Sequence, residues 1–321
     1  MTATENPTQE TLKKRGCRST RFLLRTLEPV HIGTGAYRLG RVDNPIAREP
    51  ATHLPKIPGT SLHGALRSYA ARKWADDSGS TVLCAGVGAH SEDAGETETG
   101  RKKKPHCGKD DCPVCYTFGH VKKDDQGNSG VVSVGDARLL LFPIRSMAGP
   151  VWVTSVRTLE DSGLGTETLA DANKVRLGSD LLRLPRLNLG WLMVASEGAL
   201  DTANWRAGIP DFVRNRTVLV DDALFSRLVN GNLEVRTSVA IDPDTGAASE
   251  GALFTYEAIP RAAWLWMDVI EDDYREKPFA ATNGWKSPLD VVKAGFSWMT
   301  LLGVGGMGTR GFGRVQAEQW P

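Results

Sequence analysis

The segment GVGGMGTRGFG, residues 303–313, holds six glycines between two regular elements and is the feature that most constrains the fold. The preceding residues, SPLDVVKAGFSWMTLL, have the Ser-Pro start and apolar spacing of a helix, and FGRVQAE after it is typical of a strand. Part of the segment fits the G-x-G-x-x-G pattern, but dinucleotide-binding folds require a strand before the loop and a helix after it. The order here is reversed, which disfavours a stand-alone nucleotide-dependent enzyme.

A turn from helix to strand needs only one or two glycines. Six of them indicate that another backbone or a ligand comes very close to the loop. Its row of backbone N–H groups is suited to the phosphates of a polynucleotide. A flexible turn that merely tolerates glycine is the alternative. We expect RNA contacts from Gly305, Gly306, Gly308, Thr309 and Arg310.

The other segments predict strands around a few helices. RFLLRTLEP from Arg21 is typical of a strand, and SLHGALRSYAARKW has the apolar spacing of one helical face. TVLVDDALFSRLVNG is predicted to be a helix that ends at Gly231. Two strand-like runs joined through Asp-Pro-Asp-Thr-Gly predict a hairpin at about residues 234–257. This order predicts an α+β fold with helices over an antiparallel sheet and a ferredoxin-like or RNA-recognition-like core.

Composition divides the chain further. Residues 1–18 are polar and without pattern, so we expect a mobile tail ahead of a single domain at 19–321. From Asp77 to Pro105 the composition turns to Gly, Ser, Thr, Glu and Lys, which predicts an exposed stretch too polar to form a core. We place the whole insertion at about residues 77–130.

Charge and hydropathy limit the environment of the protein. Lys plus Arg total 39 against 38 Asp plus Glu, so attraction for a polyanion must come from local basic patches. No apolar run approaches the ~20 residues that cross a bilayer, and no leader opens the chain. These features predict a soluble cytoplasmic protein with no membrane partner. In that reducing compartment the cysteines are expected to be thiols or metal ligands, not disulfides.

Four of the five cysteines lie in the polar insertion. Three of them lie within nine residues, at Cys107, Cys112 and Cys115. Tetrahedral zinc needs four ligands, so Cys84, His106 or His120 would complete a structural site that holds the ends of the insertion together. Reduced cysteines without metal are the alternative.

Seven segments in a fixed order, from about Arg21 to Val315, resemble the RAMP proteins of type III CRISPR effectors, in particular the backbone subunits of type III-B (Cmr) complexes. They are EPVHIGTG, LGRVDNPIARE, IPGTSLHGALRS, CPVCYTFG, VGDARLLLFPIRSMAGPVWVTS, the hairpin with EAIP, and LLGVGGMGTRGFGRV. Backbone subunits of type III-A (Csm) complexes are similar in most of this set. The Arg48-Glu49 pair and FPIRS followed by VWVTS favour the Cmr version.

The resemblance implies a subunit that forms a filament of several copies along a CRISPR RNA, together with other effector subunits. It implies a palm like an RNA-recognition fold, a thumb-like hairpin that wedges into the guide–target duplex, and cleavage of the target RNA at regular intervals. The aspartate that cuts corresponds to Asp43, with His31 and Glu257 nearby as assisting residues. The resemblance also suggests RNA contacts at Arg41, Arg48, Ser61, Arg67 and Arg145. A non-catalytic RNA-binding scaffold is the alternative function.

The loop GRVDNPIAREP, residues 40–50, has the chemistry for such a cut. RNA carries its own nucleophile, the 2′-hydroxyl, so the protein must align it and handle proton and charge. The Asp43 carboxylate would take the proton or hold Mg²⁺ or another divalent cation, and the arginines would pair with flanking phosphates. An ordinary Asx-turn before Asn44-Pro45 is the alternative role for Asp43.

Overall fold

The computed structural model of the protein describes residues 17–35, 42–79, 84–85, 106–109, 111–121, 127–203, 205, 208–282 and 284–320. The chain divides into two compact units. The cysteine unit comprises Met1–Thr20, Gly59–Gly135 and Asp268–Leu301, and the sheet unit comprises Arg21–Pro58, Asp136–Met267 and Leu302–Pro321. A single domain over residues 19–321 stays a prediction.

The secondary structure alternates short strands with a few helices. The strands are β1 (Cys17–Thr26), β2 (Lys56–Ile57), β3 (Gly119–Val121), β4 (Gly127–Ser129), β5 (Val132–Val134), β6 (Ala137–Ser146), β7 (Gly149–Ser155), β8 (Lys174–Leu177), β9 (Arg186–Leu189), β10 (Leu192–Ala199), β11 (Thr217–Val220), β12 (Glu234–Ile241), β13 (Ala248–Ala258), β14 (Trp264–Asp272) and β15 (Val315–Trp320). The helices are α1 (Gly59–Ser78), α2 (Pro113–Phe118), α3 (Val156–Ser162), α4 (Asp211–Arg214), α5 (Asp222–Gly231) and α6 (Pro288–Leu302), with 3-10 turns at Ser179–Leu181 and Gly308–Arg310.

The sheet unit is built on a large sheet in the order β15-β1-β14-β6-β7-β11-β8-β10-β9, with β2 beside β6. Most pairings are antiparallel, whereas β7 with β11 and β8 with β10 are parallel. The run Leu140, Leu141 and Phe142 of β6 is fully buried, as expected for a strand covered on both faces. The predicted α+β fold with a mainly antiparallel sheet is therefore confirmed.

The segment TVLVDDALFSRLVNG corrects one prediction. Its first part is not helical, because Thr217–Val220 forms β11, pairs with β7 and is buried throughout. Only Asp222–Gly231 is helical, and the Asp221 side chain caps it by accepting the Ala223 N–H at 2.9 Å. A short β-branched run covered on both faces has no alternation, so the pattern does not distinguish it from a helix start.

The hairpin of β12 and β13 pairs from Glu234 opposite Ala258 to Ile241 opposite Ala248. Its turn is built on the Asp242 side chain, which accepts the N–H groups of Asp244 and Thr245. Within the described residues these two strands form a sheet of their own. The hairpin predicted at residues 234–257 is confirmed, and its outer half exposes large apolar side chains, at Ile241, Leu253 and Phe254.

The cysteine unit packs helices against short strands. Leu66 of α1 lies so close to Gly295 of α6 that a Cβ at Gly295 would be 2.7 Å from the Leu66 carbonyl oxygen. In the predicted insertion, the described residues form α2 and the β3–β4 hairpin. Of the predicted tail, residues 1–16 lie outside the described residues, and Cys17 already belongs to β1. No described helix is long and apolar enough to span a membrane.

Candidate functional site

The described part of the loop that carries Asp43, residues 42–50, is called the Asp43 loop and lies along the last residues of β13 in the sheet unit. The Asn44 N–H donates to the Thr255 carbonyl at 3.1 Å, and the Glu257 N–H donates to the Asn44 carbonyl at 3.1 Å. On the other side, the Ala47 N–H donates to the Ile32 carbonyl at 2.8 Å. Backbone hydrogen bonds therefore fix the loop at the base of the exposed hairpin.

Thr255 holds the Asp43 side chain through a single oxygen. Its backbone N–H and its hydroxyl both donate to Oδ2 of Asp43, at 2.8 and 2.7 Å. The same hydroxyl oxygen accepts the Asp43 N–H at 2.9 Å. Asp43 is exposed, and its Oδ1 accepts no hydrogen bond from the described residues. One carboxylate oxygen is thus anchored while the other is left for a ligand.

The same contacts set the charge of Asp43. The Thr255 backbone N–H, followed by its hydroxyl, holds the pKa of the Asp43 carboxyl below its usual value. The carboxylate therefore stays ionised at neutral pH. A carboxyl whose pKa lies below its usual value is a weak proton acceptor near pH 7, whereas an ionised, open oxygen suits a cation or a hydroxyl donor.

Glu257 and Arg48 hold this loop from the inside. Nη2 of Arg48 lies 2.7 Å from Oε2 of Glu257, and the two side chains are only 22% and 12% exposed. Arg48 also donates from Nε to Asn230 Oδ1 at 2.9 Å and from Nη1 to the Ile46 carbonyl at 3.2 Å. The Glu257 carboxylate accepts the Ile46 N–H at 3.3 Å. Both side chains are thus engaged in holding the loop. This fits a positioning role for the pair better than a contact with RNA or a part in proton transfer.

His31 lies beneath the glycine loop. It is buried, and its Nδ1 lies 2.7 Å from the Glu257 carbonyl oxygen. The His31 carbonyl accepts the Gly306 N–H at 2.9 Å, and a Cβ on Gly305 would lie 2.4 Å from it. The close approach predicted from the glycines is thus made at Gly305 by a backbone of the same chain.

Within the glycine loop, Gly305, Gly306 and the 3-10 turn Gly308–Arg310 are exposed. There Arg310 donates from Nη1 to the Tyr256 hydroxyl at 3.3 Å. Tyr256 follows Thr255 on β13. Its ring packs edge-on against the His31 ring, with the two ring centroids 6.0 Å apart. The structure therefore brings Asp43, Glu257, Arg48, His31 and the loop together around the end of β13, as the motifs suggested.

The remaining predicted contacts lie elsewhere. Arg41 lies outside the described residues, and Arg145 is exposed near the end of β6, where it lines a surface groove with Arg261. Ser61 is a half-buried residue in the first turn of α1, in the cysteine unit. Arg67, also on α1, is buried, which does not fit a contact with RNA.

Four cysteines meet in the cysteine unit. The ligand atoms of Cys84, Cys107, Cys112 and Cys115 all lie within 4.8 Å of one another. Sγ of Cys107 is 3.7 Å from Sγ of Cys115, and Sγ of Cys112 is 3.7 Å from Sγ of Cys84. Tetrahedral zinc with bonds of ~2.3 Å separates its sulfur ligands by about 3.8 Å. The cluster therefore has the composition and spacing of a closed four-thiolate metal site.

The structure shows which residue is the fourth member of the cluster, which the sequence did not determine. Cys84 completes the cluster, and neither His106 nor His120 belongs to it. The fifth cysteine, Cys17, lies apart in β1 and is half-buried. With four thiolates as ligands, a metal at this site would have no open position for a substrate.

Sequence reasoning did not find Thr255. Its contact with Asp43 spans 212 residues and depends on the register between the loop and β13. Tyr256 was missed for the same reason. No local pattern carries that register.

Comparison with known proteins identifies the family of the chain. A model of the RAMP superfamily matches residues 23–316. The chain is 27% identical over 260 residues to the CRISPR system Cmr endoribonuclease Cmr4 of Pyrococcus furiosus, covering 74% of this chain and 76% of the relative. A chain of the cryo-EM structure of type III-B Cmr-beta bound to cognate target RNA has the same fold, with a TM-score of 0.62 and 17% identity over 94% of this chain and 97% of that one. Oligomeric Cmr4 from Pyrococcus furiosus gives a TM-score of 0.55 and 20% identity over 94% and 98% of the two chains. The chain described here therefore belongs to the RAMP superfamily.

Proposed function

We propose that this protein is a backbone subunit of a type III-B CRISPR effector. It lies along a CRISPR RNA with further copies of itself and other effector subunits, and it cuts complementary target RNA at regular intervals. The observation that carries the proposal is the Asp43 carboxylate, anchored at one oxygen by Thr255 and open at the other, at the base of an exposed hairpin. The endoribonuclease name of the 27% identical relative supports it.

The target RNA supplies the nucleophile of the reaction, and the protein supplies geometry and charge. Asp43 lies on a loop fixed by backbone hydrogen bonds on both sides, so its free oxygen has a defined position for the 2′-hydroxyl or the scissile phosphate. Because its pKa is lowered, we assign Asp43 to orienting and charge stabilisation in preference to proton abstraction.

A divalent cation such as Mg²⁺ fits this site as a partner of the RNA. Among the described residues, the cysteines form the one group of three or more metal-ligating side chains. A cation at Asp43 would therefore complete its coordination with RNA oxygens and water. Mg²⁺ commonly uses one or two carboxylates together with substrate phosphates. Such a cation stabilises the charge that develops on the phosphate.

The RNA interface extends from Asp43 onto exposed elements of the sheet unit. Thr309 and Arg310 offer a hydroxyl and a charge for phosphates, and the apolar outer half of the hairpin suits insertion between base pairs. Because such contacts address the backbone, binding is expected to show little base preference and to weaken with salt.

The proposal includes one structural Zn²⁺ on the four cysteines. The two sulfur separations of 3.7 Å support zinc over unligated thiols. It would clip Cys84 to the segment 107–115 across a polar stretch of the chain.

A non-catalytic scaffold is the second candidate function. The double hydrogen bond from Thr255 to Asp43 favours it, because an aspartate that merely ties a loop to a strand makes the same contacts. The substitution of Asp43 discussed below separates the two candidates.

Thr255→Val is expected to slow target cleavage by roughly 10–100-fold, because it removes the hydroxyl that fixes Asp43 and lets the carboxylate move. Thr255→Ser keeps that hydroxyl and should stay close to wild type. Single-turnover cleavage by the assembled ribonucleoprotein measures both.

The pH dependence distinguishes positioning from ionisation. Losing one donor raises the pKa of Asp43 only back toward its ordinary value of 3.8. The carboxylate therefore remains ionised from pH 6 to pH 8 in every variant. The defect of Thr255→Val should be the same at both ends of this range, and a defect that disappears at pH 8 would contradict positioning.

A further inference from the structure

Arg67 has an unusual environment for an arginine. It lies on α1, is 9% exposed and points into the cysteine unit. Nε donates to the Cys84 carbonyl at 3.0 Å, and Nη1 donates to the Phe118 carbonyl at 3.2 Å. Nη2 is buried and has no hydrogen-bond partner among the described residues. The guanidinium is thus held by two carbonyls while one of its nitrogens remains unmatched.

A buried guanidinium needs an anion. Arginine remains protonated in proteins, and a buried charge without a counter-ion is strongly unfavourable. Within the described part of the chain, Arg67 makes no ion pair with an aspartate or glutamate. Its two carbonyl partners supply dipoles but no net charge. The compensating negative charge must therefore come from another kind of group.

The four cysteines are in the right place to supply it. Cys84 gives Arg67 its carbonyl, and Cys115 lies one helical turn before Phe118, the second partner. The two hydrogen bonds thus place the Arg67 guanidinium against Cys84 and against the helix that carries Cys115.

Only the metal-bound cluster has the required charge. Protonated thiols are neutral, whereas Zn²⁺ with four thiolates carries two net negative charges. That charge is itself buried and needs a cation nearby. We infer that Arg67 is the counter-ion of the zinc centre and that it ties Cys84 to the end of α2. This inference rests on the proposed zinc site.

Arg67→Gln is expected to weaken zinc binding by about 10–100-fold, the usual effect of losing a residue that supports metal ligands. Glutamine keeps a hydrogen-bond donor but removes the charge. Competition of the purified chain with a chromogenic zinc chelator measures the affinity. Arg72→Gln is the matched control, because Arg72 is an exposed arginine on the same helix. Equal zinc affinity in Arg67→Gln and Arg72→Gln would overturn the inference.

Arg67→Lys provides a second variant if Arg67→Gln does not fold. Lysine keeps the charge, but a compact ammonium cannot hold two separated carbonyls and also face the sulfurs. We expect a zinc affinity between those of the wild type and Arg67→Gln. A zinc affinity equal to that of the wild type would mean that the positive charge alone supports zinc binding. It would contradict the inference that Arg67 ties Cys84 to the end of α2.

Thermal unfolding with and without chelator separates a counter-ion from a packing residue. Removing zinc from the wild type leaves the Arg67 charge without its anion, whereas Arg67→Gln has no charge to leave unpaired. Chelation should therefore lower the Tm of the wild type more than that of Arg67→Gln. Equal decreases would mean that Arg67 only packs. If the wild type and Arg72→Gln hold no zinc at all, the zinc proposal fails as a whole, which is a distinct outcome.

Discussion

Asp43→Asn is expected to abolish cutting of complementary RNA by the assembled complex, with a loss of roughly 10²–10⁴-fold in the single-turnover rate. Asparagine has the shape of aspartate and its side-chain oxygen still accepts from Thr255, so the loop geometry is kept. Only the negative charge of the side chain is lost. Binding of the CRISPR RNA and of the target should be unchanged.

The control for this substitution is Asp180→Asn. Asp180 is an exposed acid of the sheet unit on the 3-10 turn Ser179–Leu181, outside the Asp43 cluster. The substitution Asp180→Asn removes the same charge from the same unit, and this variant should cut RNA like the wild type. If Asp43→Asn releases evenly spaced fragments at the wild-type rate, Asp43 does not cut the RNA. The scaffold function would then replace the nuclease function proposed for this protein.

Cys112→Ser is expected to remove the metal and to lower the Tm by about 10 °C or more. A structural zinc site contributes folding free energy directly, and each kcal/mol shifts Tm by roughly 2–4 °C in domains of this size. Elemental analysis should find about one zinc per wild-type chain and less than half of that in the variant. Differential scanning calorimetry reports the change in Tm.

The fifth cysteine provides the matched control. Cys17 lies outside the cluster, so Cys17→Ser should keep both the zinc and the Tm of the wild type. A wild-type chain that holds less than one zinc per two chains would contradict the proposed centre. So would a Cys112→Ser variant that is as stable as Cys17→Ser.

Much of the fold was predictable because its signals are local. The hairpin follows from its Asp-Pro-Asp-Thr-Gly turn, and α6 begins at Pro288 as the Ser-Pro pair indicates. The run TVLV was misassigned because burial on both faces removes the alternation that identifies a strand. The RAMP resemblance added the global arrangement, which the superfamily match and the fold comparison confirm.

The site was only partly predictable because its contacts are distant in sequence. The sequence predicts that Arg48 pairs with a phosphate beside Asp43, but in the structure it pairs with Glu257 of β13. Arg67 lies outside the apolar face of α1. A residue at such a position is exposed only where no other segment of the chain packs against it. Here the Cys84 segment and the end of α2 cover it. Neither partner is specified by the residues around the arginine.

The most direct test of the account is the position of Asp43 in a structure of the assembled complex. The target would carry 2′-deoxy nucleotides at the cut positions, since these lack the nucleophile and remain intact. We predict that Oδ1 of Asp43 lies within about 4 Å of the scissile phosphate or its 2′ position, directly or through one cation or water. A separation above about 8 Å in every copy would contradict the assignment of cutting to Asp43.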